Sequence, residues 1–368
     1  MKPFVPHDLP ITSLDYSQLI GLVGQANAAI ARYDGMLQSV VNPTILLSPL
    51  TTNEAVLSSK IEGTQATLDE VLEHEAGQSY DEEKTKDIQE IVNYRLALTL
   101  ASETLEERPL TLSLLQHIHG ILLNSVRGQH KSPGEFRKDQ NWIGPSGCTQ
   151  EEATFVPPGP LQLTDHLQAW EAYVQADDID GLIQTAVVHA QFELIHPFKD
   201  GNGRIGRLLI PLFLQRKQLL NSPTFYLSEY LEENRQTYYD LLLGISQREE
   251  WNAWIKFFLT AIVEQAKRNT EKVQLTLQLY EQMKAEIADA THSQHAIHLL
   301  DAIFDRPVFQ TSDMVKRTNL PKQTVMPLLR KLKDAGTLAT IREASGRRPA
   351  ILAFPKLLSI TEGKKLRL

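Results

Sequence analysis

Residues 196–207 hold several groups that together suit phosphate chemistry. The stretch reads His-Pro-Phe-Lys-Asp-Gly-Asn-Gly-Arg-Ile-Gly-Arg. His196 titrates near neutrality and can accept a proton from a hydroxyl group. Asp200 supplies a hard oxygen ligand of the kind that Mg²⁺ takes. Arg204 and Arg207 lie three residues apart, so both can face one phosphate chain. We interpret the stretch as a site for a nucleoside triphosphate and its metal.

The apolar spacing around this stretch predicts two helices joined by a tight turn. Residues 183–195 repeat apolar side chains at helical spacing, and Pro197 disfavours helix at the residue before it. A second helix is predicted from about Arg204. Gly201 and Gly203 allow the turn, and amide groups at a helix N-terminus form a nest for anions. The alternative is a helix–turn–helix whose glycines only make the turn. The residue types and their spacing together favour the anion site.

The same twelve residues resemble the signature of the Fic family, His-Pro-Phe-x-Asp-Gly-Asn-Gly-Arg-x-x-Arg, without a departure. The resemblance covers roughly residues 10–270 and implies a mainly α-helical Fic core that transfers AMP from ATP to a Ser, Thr or Tyr hydroxyl of a protein. It implies that His196 is the base, that Asp200 binds Mg²⁺, and that ATP contacts Gly201, Asn202, Gly203, Arg204, Ile205, Gly206 and Arg207. The intact Gly-Asn-Gly sequence favours nucleotidyl transfer. Transfer of another nucleotide or of phosphate is the enzymatic alternative.

A second resemblance lies near residue 60. Thr51 and Glu54 have capping-box spacing, which predicts a helix start there, and the glycine at position 63 is placed to end that helix. The last turn matches the Fic inhibitory pattern Ser/Thr-x-x-x-Glu-Gly/Asn at Ser58 and Glu62. In Fic proteins with this helix before the core, the glutamate reaches the ATP site and pairs with the second signature arginine, here Arg207. The resemblance therefore implies autoinhibition by Glu62, and some relatives with this glutamate also remove AMP. Alone, so short a motif is more typical of a solvated helix end.

Two more segments resemble parts of a Fic active site. Residues 141–145 and 155–158 flank a tip rich in Gly, Ser and Thr, which predicts a β-hairpin. In Fic proteins the corresponding flap pairs with the main chain of the target, whereas the alternative here is an ordinary surface hairpin. The string Asn-Arg-x-x-Tyr-Tyr resembles the adenosine-side segment and implies ATP contacts from Asn234 and from Tyr239, or from Tyr238 in its place. The alternative is that the tyrosines belong to the core and that Asn234 caps a helix.

Charge divides the chain into an acidic body and a basic tail. The net charge is −8 overall, but residues from Thr291 onwards carry 14 Lys and Arg against six Asp and Glu. Such a division suggests two functions. The predicted regions are 1–95, N-terminal and helical with the inhibitory helix; 96–270, the Fic core; 271–290, a connecting helix; and 291–368, a winged helix domain. A break near residues 268–270 is predicted in the long helical segment that begins at Trp251.

The tail has the pattern of a winged helix-turn-helix domain, with three helices followed by a hairpin. Lys322, Gln323 and Thr324 would open its recognition helix, and Arg347 and Arg348 would form the tip of its wing. DNA is therefore one expected partner. The alternative is a module for protein contact or dimerisation, because many winged helices bind no DNA. A nucleotide-sensing, DNA-binding regulator is thus the rival to the transferase, and a homodimer is a further assembly that the sequence leaves open.

The remaining features set the cellular context. Cys148 is the single cysteine, so an intrachain disulfide is excluded and a reducing compartment is expected. The N-terminus shows no apolar signal core, and no run of about 18 apolar residues predicts a membrane span. We therefore expect a cytoplasmic protein. His117 and His119 lie on different helix faces at a spacing of two, so both are interpreted as structural or exposed rather than as a metal pair.

Overall fold

A computed structural model describes residues 2–40, 42–145, 147–291, 296–346 and 348–363. Within these ranges the chain is mainly α-helical, with one small three-stranded β-sheet. This confirms the coarse form of the predicted fold class. No helix in the described part of the chain is both long and apolar enough to cross a membrane.

The helices and strands are numbered in chain order. They are a 3₁₀ helix Tyr16–Gln18, then α1 Ile20–Leu37, α2 Pro43–Leu46, α3 Ser48–Ile61, α4 Leu68–Glu75, α5 Glu82–Glu107, α6 Leu112–Leu122, α7 Leu163–Gln175, α8 Gly181–Ile195, α9 Asn202–Arg216, α10 Ser228–Glu233, α11 Arg235–Arg248, α12 Trp251–Thr291, α13 Ala296–Asp305, β1 Val308–Gln310, α14 Thr311–Thr318, α15 Lys322–Asp334, β2 Ala339–Arg342, β3 Ile351–Ala353 and α16 Pro355–Glu362. The long connection between α6 and α7 contains the predicted flap.

The chain forms two compact units whose divisions fall inside helices. The first unit comprises Met1–Asp34, Leu57–Thr64 and Val92–Lys267, and the second comprises Gly35–Val56, Gln65–Ile91 and Arg268–Leu368. Helices α1, α3, α5 and α12 therefore each contribute residues to both units. The four region boundaries expected from the sequence remain predictions.

In the first unit, α8 and α9 pack together and hold the signature stretch between them. The carboxylate of Asp180 caps α8 by accepting hydrogen bonds from the amides of Leu182 and Ile183 at 2.9 and 3.0 Å. Almost every side chain of α8 is buried, as its apolar run predicts. The indole groups of Trp170 and Trp254 each donate a hydrogen bond of 2.9 Å to a carbonyl of α8. These contacts anchor the N-terminal end and the middle of α8, the helix that ends at the candidate base.

In the second unit, residues 296–363 form what we call the C-terminal module. Its sheet has the order β1-β3-β2 with both pairs antiparallel, and its register pairs Val308 with Ala353. α14 packs against α13, α15 and β1. The β2–β3 hairpin follows α15 as predicted, whereas β1 and α16 were not predicted. The wing-tip residue Arg347 lies outside the described residues.

Two local predictions need correction. α3 begins at Ser48, so Thr51 lies inside the helix and does not begin a capping box. A proline near the start of α3 explains the earlier start, because the first turn of a helix tolerates proline. α12 continues through residues 268–270 without a break, since its buried face carries on through Asn269 and Val273.

Candidate active site

His196 stands at the C-terminal end of α8 in a left-handed backbone conformation, with φ 49° and ψ 61°. Its amide still bonds to Phe192 O at 3.0 Å, and Pro197 stops the helix as predicted. Nδ1 lies 3.2 Å from Glu193 O. Because a carbonyl oxygen only accepts hydrogen bonds, Nδ1 carries the proton and Nε2 is left as the acceptor. Burial lowers the pKa of His196 to about 4, so the imidazole is neutral at pH 7.

The turn after His196 is held by the side chain of Asn202. Its carbonyl oxygen accepts from Phe198 N at 2.8 Å, and its amide nitrogen donates to Phe198 O at 2.9 Å. Gly201 has φ +77°, a value that side chains disfavour, and α9 begins at the next residue. The first amides of a helix have no intrahelical acceptor and carry the positive end of its dipole. The geometry of the turn therefore suits an anion.

Both signature arginines are buried, each with 1% of its surface exposed. Nη2 of Arg204 lies 3.7 Å from a carboxylate oxygen of Asp200. Arg207 donates from Nε to Ser58 Oγ at 2.9 Å, and from Nη2 to Ser58 O at 2.9 Å and Glu62 Oε1 at 2.7 Å. Within the described part of the chain, Nη1 of Arg207 has no hydrogen-bond acceptor. The structure thus brings together Ser58, Glu62 and Arg207, as the resemblance implied.

Glu62 places its carboxylate against the turn as well as against Arg207. A Cβ atom built on Gly203 would clash with Glu62 Oε1 and would lie 3.0 Å from Nη1 of Arg207. Burial opposes ionisation of Glu62, but Arg207 offsets burial and holds the pKa of Glu62 below its ordinary value. The glutamate is therefore an anion at neutral pH, and it lies in the anion site that the turn and the arginine form.

Asp200 faces a short loop that the sequence did not single out. One carboxylate oxygen accepts from Gly201 N at 2.6 Å, and the other would lie 2.7 Å from a Cβ on Gly128. Gly128 has φ +87°, so a side chain there is disfavoured on two counts. Among the described residues, no cluster of three or more His, Cys, Asp or Glu side chains is arranged to hold a metal ion. Asp200 therefore contributes a single carboxylate.

His119 supports the same turn, although the sequence gave no sign of which histidine would. It is buried, stacks on the Phe198 ring at 3.7 Å between centroids, and its Nε2 lies 2.9 Å from Asp200 O. Gly134 N donates to its Nδ1 at 2.9 Å, so the ring is neutral and Nε2 carries the proton. Burial lowers the pKa of His119 to about 4. His117 is exposed. The structural interpretation of the pair fits both positions.

Two other signature positions face the core rather than the turn. Ile205 is fully buried, so its main chain is the part able to approach a nucleotide. The Gly206 carbonyl lies 2.8 Å from Nδ1 of buried His189, whose Nε2 lies 2.9 Å from Tyr238 OH. Glu193 packs against Gly206, and burial raises the pKa of its carboxyl to about 8. This polar cluster lies beneath the start of α9.

The predicted adenosine-side residues lie at the junction of α10 and α11. Asn234 is the residue between the two helices, and its side-chain amide donates to Tyr230 O at 2.9 Å. Tyr238 is buried and belongs to the core, as one alternative had it, whereas Tyr239 is 38% exposed. Arg235 lies 5.8 Å from the centre of the Tyr239 ring. Tyr239 is thus the tyrosine whose ring is accessible to a ligand.

The predicted flap is present as a short antiparallel bridge between Ile143 and Phe155. Ile143 N donates to Phe155 O at 2.8 Å, and Phe155 N donates to Ile143 O at 3.0 Å. Trp142 and Ile143 are 42% and 41% exposed. The flap therefore presents an accessible apolar edge. Cys148 is partly buried in the flap, and Ser146 lies outside the described residues.

Comparison with known proteins agrees with this geometry. A family model described as Fic/DOC family N-terminal matches residues 20–103, and a second, described as Fic/DOC family, matches residues 109–214. Together they cover slightly more than half of the chain. The chain therefore belongs to the Fic/DOC family.

Named relatives and a solved structure extend the comparison. Protein adenylyltransferase Fic from Aedes aegypti is 31% identical over 171 residues, which are 45% of this chain and 30% of the relative. A probable protein adenylyltransferase from Aquifex aeolicus is 31% identical over 182 residues, 48% of this chain and 51% of the relative. The chain thus spans about a third to a half of the length of these relatives. A Fic family protein from Desulfovibrio desulfuricans G20 shares the fold with TM-score 0.58 and 19% identity, over 96% of this chain and 98% of that one.

Proposed function

We propose that the protein is a nucleotidyltransferase that moves AMP from ATP to a Ser, Thr or Tyr hydroxyl of a protein. One observation carries the proposal: an internal carboxylate, Glu62, lies in the site formed by the α9 N-terminus and buried Arg207, beside a neutral imidazole. A site that binds one anion tightly in this position suits the phosphates of ATP. The relatives named as adenylyltransferases support the same activity.

In the proposed reaction, Nε2 of His196 accepts the proton of the incoming hydroxyl, because its Nδ1 is already protonated. The hydroxyl oxygen then forms a bond to the α-phosphorus, the bond to the bridging oxygen breaks, and pyrophosphate leaves. Arg204, Arg207 and the amides of the turn at Gly201, Asn202 and Gly203 hold the phosphates. Catalysis consists mainly of positioning and of charge neutralisation at a prearranged site.

Mg²⁺ is part of this proposal, with Asp200 as its protein ligand. The donor set suits this metal, because Mg²⁺ is commonly held by one or two carboxylates together with substrate phosphates and water. Asp200 presents carboxylate oxygens beside the turn, and its side chain is 35% exposed. Bound there, the metal would neutralise phosphate charge.

Autoinhibition by Glu62 is the regulatory part of the proposal. Its carboxylate uses an Arg207 donor that a phosphate needs, and its negative charge repels the phosphates. Ser58 fixes the same guanidinium through its hydroxyl and its carbonyl. Glu62 and Ser58 together occupy the Nε and Nη2 donors of Arg207. Removal of the Glu62 carboxylate is therefore expected to release activity.

The decisive experiment is mass spectrometry of purified Glu62→Gly protein after incubation with ATP and Mg²⁺. A mass increase of one AMP on the protein, with label retained from α-labelled but not from γ-labelled ATP, is the expected result. The double variant with His196→Ala should show no increase. Label from γ-labelled ATP would replace the proposal with phosphoryl transfer, and no covalent product at all would favour the nucleotide-sensing alternative.

For the C-terminal module, we propose a winged helix that binds DNA through α15. The order of helices and strands and the antiparallel β2–β3 hairpin support the winged helix assignment. Lys322, Gln323 and Arg330 are exposed on α15, as is Arg348 in the β2–β3 connection. Exposed cations of this kind suit phosphate contacts. Salt-dependent binding to duplex DNA by the full chain is the test, and binding that does not respond to salt would contradict it.

A further inference from the structure

The carbonyl groups of four consecutive residues, 195–198, accept hydrogen bonds from one other segment, residues 137–141. The guanidinium of Arg137 donates to His196 O from Nε at 2.9 Å and to Ile195 O from Nη2 at 3.3 Å. Arg137 N donates to the carbonyl of residue 197 at 2.9 Å, and Asn141 Nδ2 donates to the carbonyl of residue 198 at 3.1 Å. The segment therefore holds the backbone on both sides of the candidate base.

Arg137 is unusual because, among the described residues, its buried charge has no acidic partner. It is 3% exposed, and burial is the sole influence on its ionisation, with no contribution from a carboxylate. Burial lowers the pKa of Arg137 to about 10, yet the group remains charged at neutral pH. Its guanidinium is satisfied by carbonyls alone, at the negative end of the α8 dipole, which stabilises a cation. Because a buried guanidinium is used to bind these backbone carbonyls, we infer that it fixes their positions around His196.

The same guanidinium also reaches the far side of the flap. Nη2 of Arg137 donates to Pro158 O at 2.6 Å, and Nη1 donates to Asp139 O at 3.3 Å. Pro158 is the last residue of the second flap segment, which pairs with Ile143 through Phe155. Both ends of the flap and the turn that carries His196 are thus joined through one side chain.

The backbone of His196 needs such support. A left-handed conformation is unfavourable for a residue with a side chain, and it persists only where surrounding contacts determine it. The Arg137 Nε bond to His196 O fixes the peptide group that follows this conformation. Loss of the bond leaves the imidazole less well placed, while the Asn202 contacts within the turn stay in place.

We propose that Arg137 and Asn141 are positioning residues that set the separation between the His196 imidazole and the flap, and so place the acceptor hydroxyl for proton removal. This rests on the proposed function, because the acceptor is the protein hydroxyl presented at the flap. Among the described residues, the side chains of Arg137 and Asn141 form no hydrogen bond to the proposed phosphate-binding residues, 201–207. The expected defect is therefore in transfer and not in ATP binding.

The test compares variants in the Glu62→Gly background, with transfer from α-labelled ATP and equilibrium ATP binding measured side by side. Arg137→Lys keeps the charge but loses the planar fork, so we expect transfer to fall about 100-fold with ATP affinity within about threefold. Asn141→Ala should lose about tenfold. Lys138→Ala is the matched control, since the exposed Lys138 side chain pairs with Glu135 at 3.2 Å and, among the described residues, forms no hydrogen bond to the turn or the flap, so this variant should keep activity. Methylguanidinium added to Arg137→Ala should partly restore transfer.

A second readout does not depend on activity. In Arg137→Lys, NMR titration of His196, assigned with His196→Ala, should show its pKa moving upward from about 4 as the imidazole becomes more exposed to water. An unchanged titration, or transfer within threefold of the parent, would overturn the positioning role. Parallel loss of ATP binding and transfer would also overturn it, because it would show general damage to the site. If Glu62→Gly itself transfers nothing, the proposed function fails, and the titration alone decides the positioning role.

Discussion

The surroundings of the signature stretch, residues 196–207, and the C-terminal module both carry positive charge, but the charge is buried in the first and exposed in the second. In the first unit, Arg137, Arg204 and Arg207 are at most 3% exposed. On α15 of the second unit, Lys322 and Arg330 are exposed. A buried charge costs several kcal/mol unless specific groups compensate it, whereas an exposed charge costs almost nothing. Burial therefore makes these three arginines informative about the groups that they bind, and exposure leaves the module's charges compatible with several partners.

The largest effect is expected when the candidate base, His196, is removed from the buried site. His196→Ala in the Glu62→Gly background should lower transfer from α-labelled ATP on the order of 1000-fold, the usual loss for a general base. His196→Asn serves as a second variant, because asparagine tolerates the left-handed backbone better than alanine. His117→Ala, at an exposed histidine, is the control. Substantial transfer in both His196 variants would show that the imidazole of His196 is structural.

The next test separates the effect of the Glu62 charge from the effect of the Glu62 side-chain volume. Glu62→Gln keeps the size of the side chain but removes the carboxylate charge from Arg207, so transfer should rise about tenfold, less than in Glu62→Gly. Because the pKa of Glu62 is held below its ordinary value, acidification to pH 5 should not release wild-type activity. Rates for wild type and both Glu62 variants at pH 5 and pH 7.5, with ATP varied, provide the measurement. Equal rates for wild type and Glu62→Gln would remove the electrostatic explanation.

Burial of neutral histidines should also appear in the pH dependence of stability. Burial lowers the pKa of His189 to about 3, whereas an unfolded histidine titrates near 6.5. Between these values the unfolded chain takes up a proton that the folded chain does not, so stability falls as pH falls. The slope from this one group is about 1.4 kcal/mol per pH unit. Chemical denaturation from pH 7 to pH 5 should show a shallower decline for His189→Gln than for wild type.

The control for that measurement is His117→Gln, which changes an exposed histidine and should leave the decline as in wild type. His189→Gln itself should be less stable at pH 7, because the buried bonds to Gly206 O and Tyr238 OH are disturbed. Only the slope decides the question. An identical slope in His189→Gln and wild type would mean that His189 is not the group that resists protonation.

Sequence reasoning went furthest where function depends on residues close together along the chain. The turn at 201–203, the helix ends around it and the fold class could be predicted, because glycine, proline and apolar spacing act locally. The meeting of Glu62 with Arg207 was expected only through a family resemblance. Arg137 and His119 were missed as supports of the turn, since their acceptors are backbone carbonyls that every residue type offers. Thr51 was misplaced because a capping pattern also occurs inside helices.

The smallest effect is expected in the C-terminal module, where the test asks whether the exposed cations contact DNA. If Lys322 and Arg330 each contact a DNA phosphate, Lys322→Ala or Arg330→Ala should weaken binding of the full chain only about threefold and lower the salt slope by roughly one unit, since each exposed cation releases about one counterion. Lys131→Ala, at an exposed lysine of the first unit, controls for net charge. Equal losses in all three variants would mean that binding follows total charge, and the module would then be better explained as a surface for protein contact.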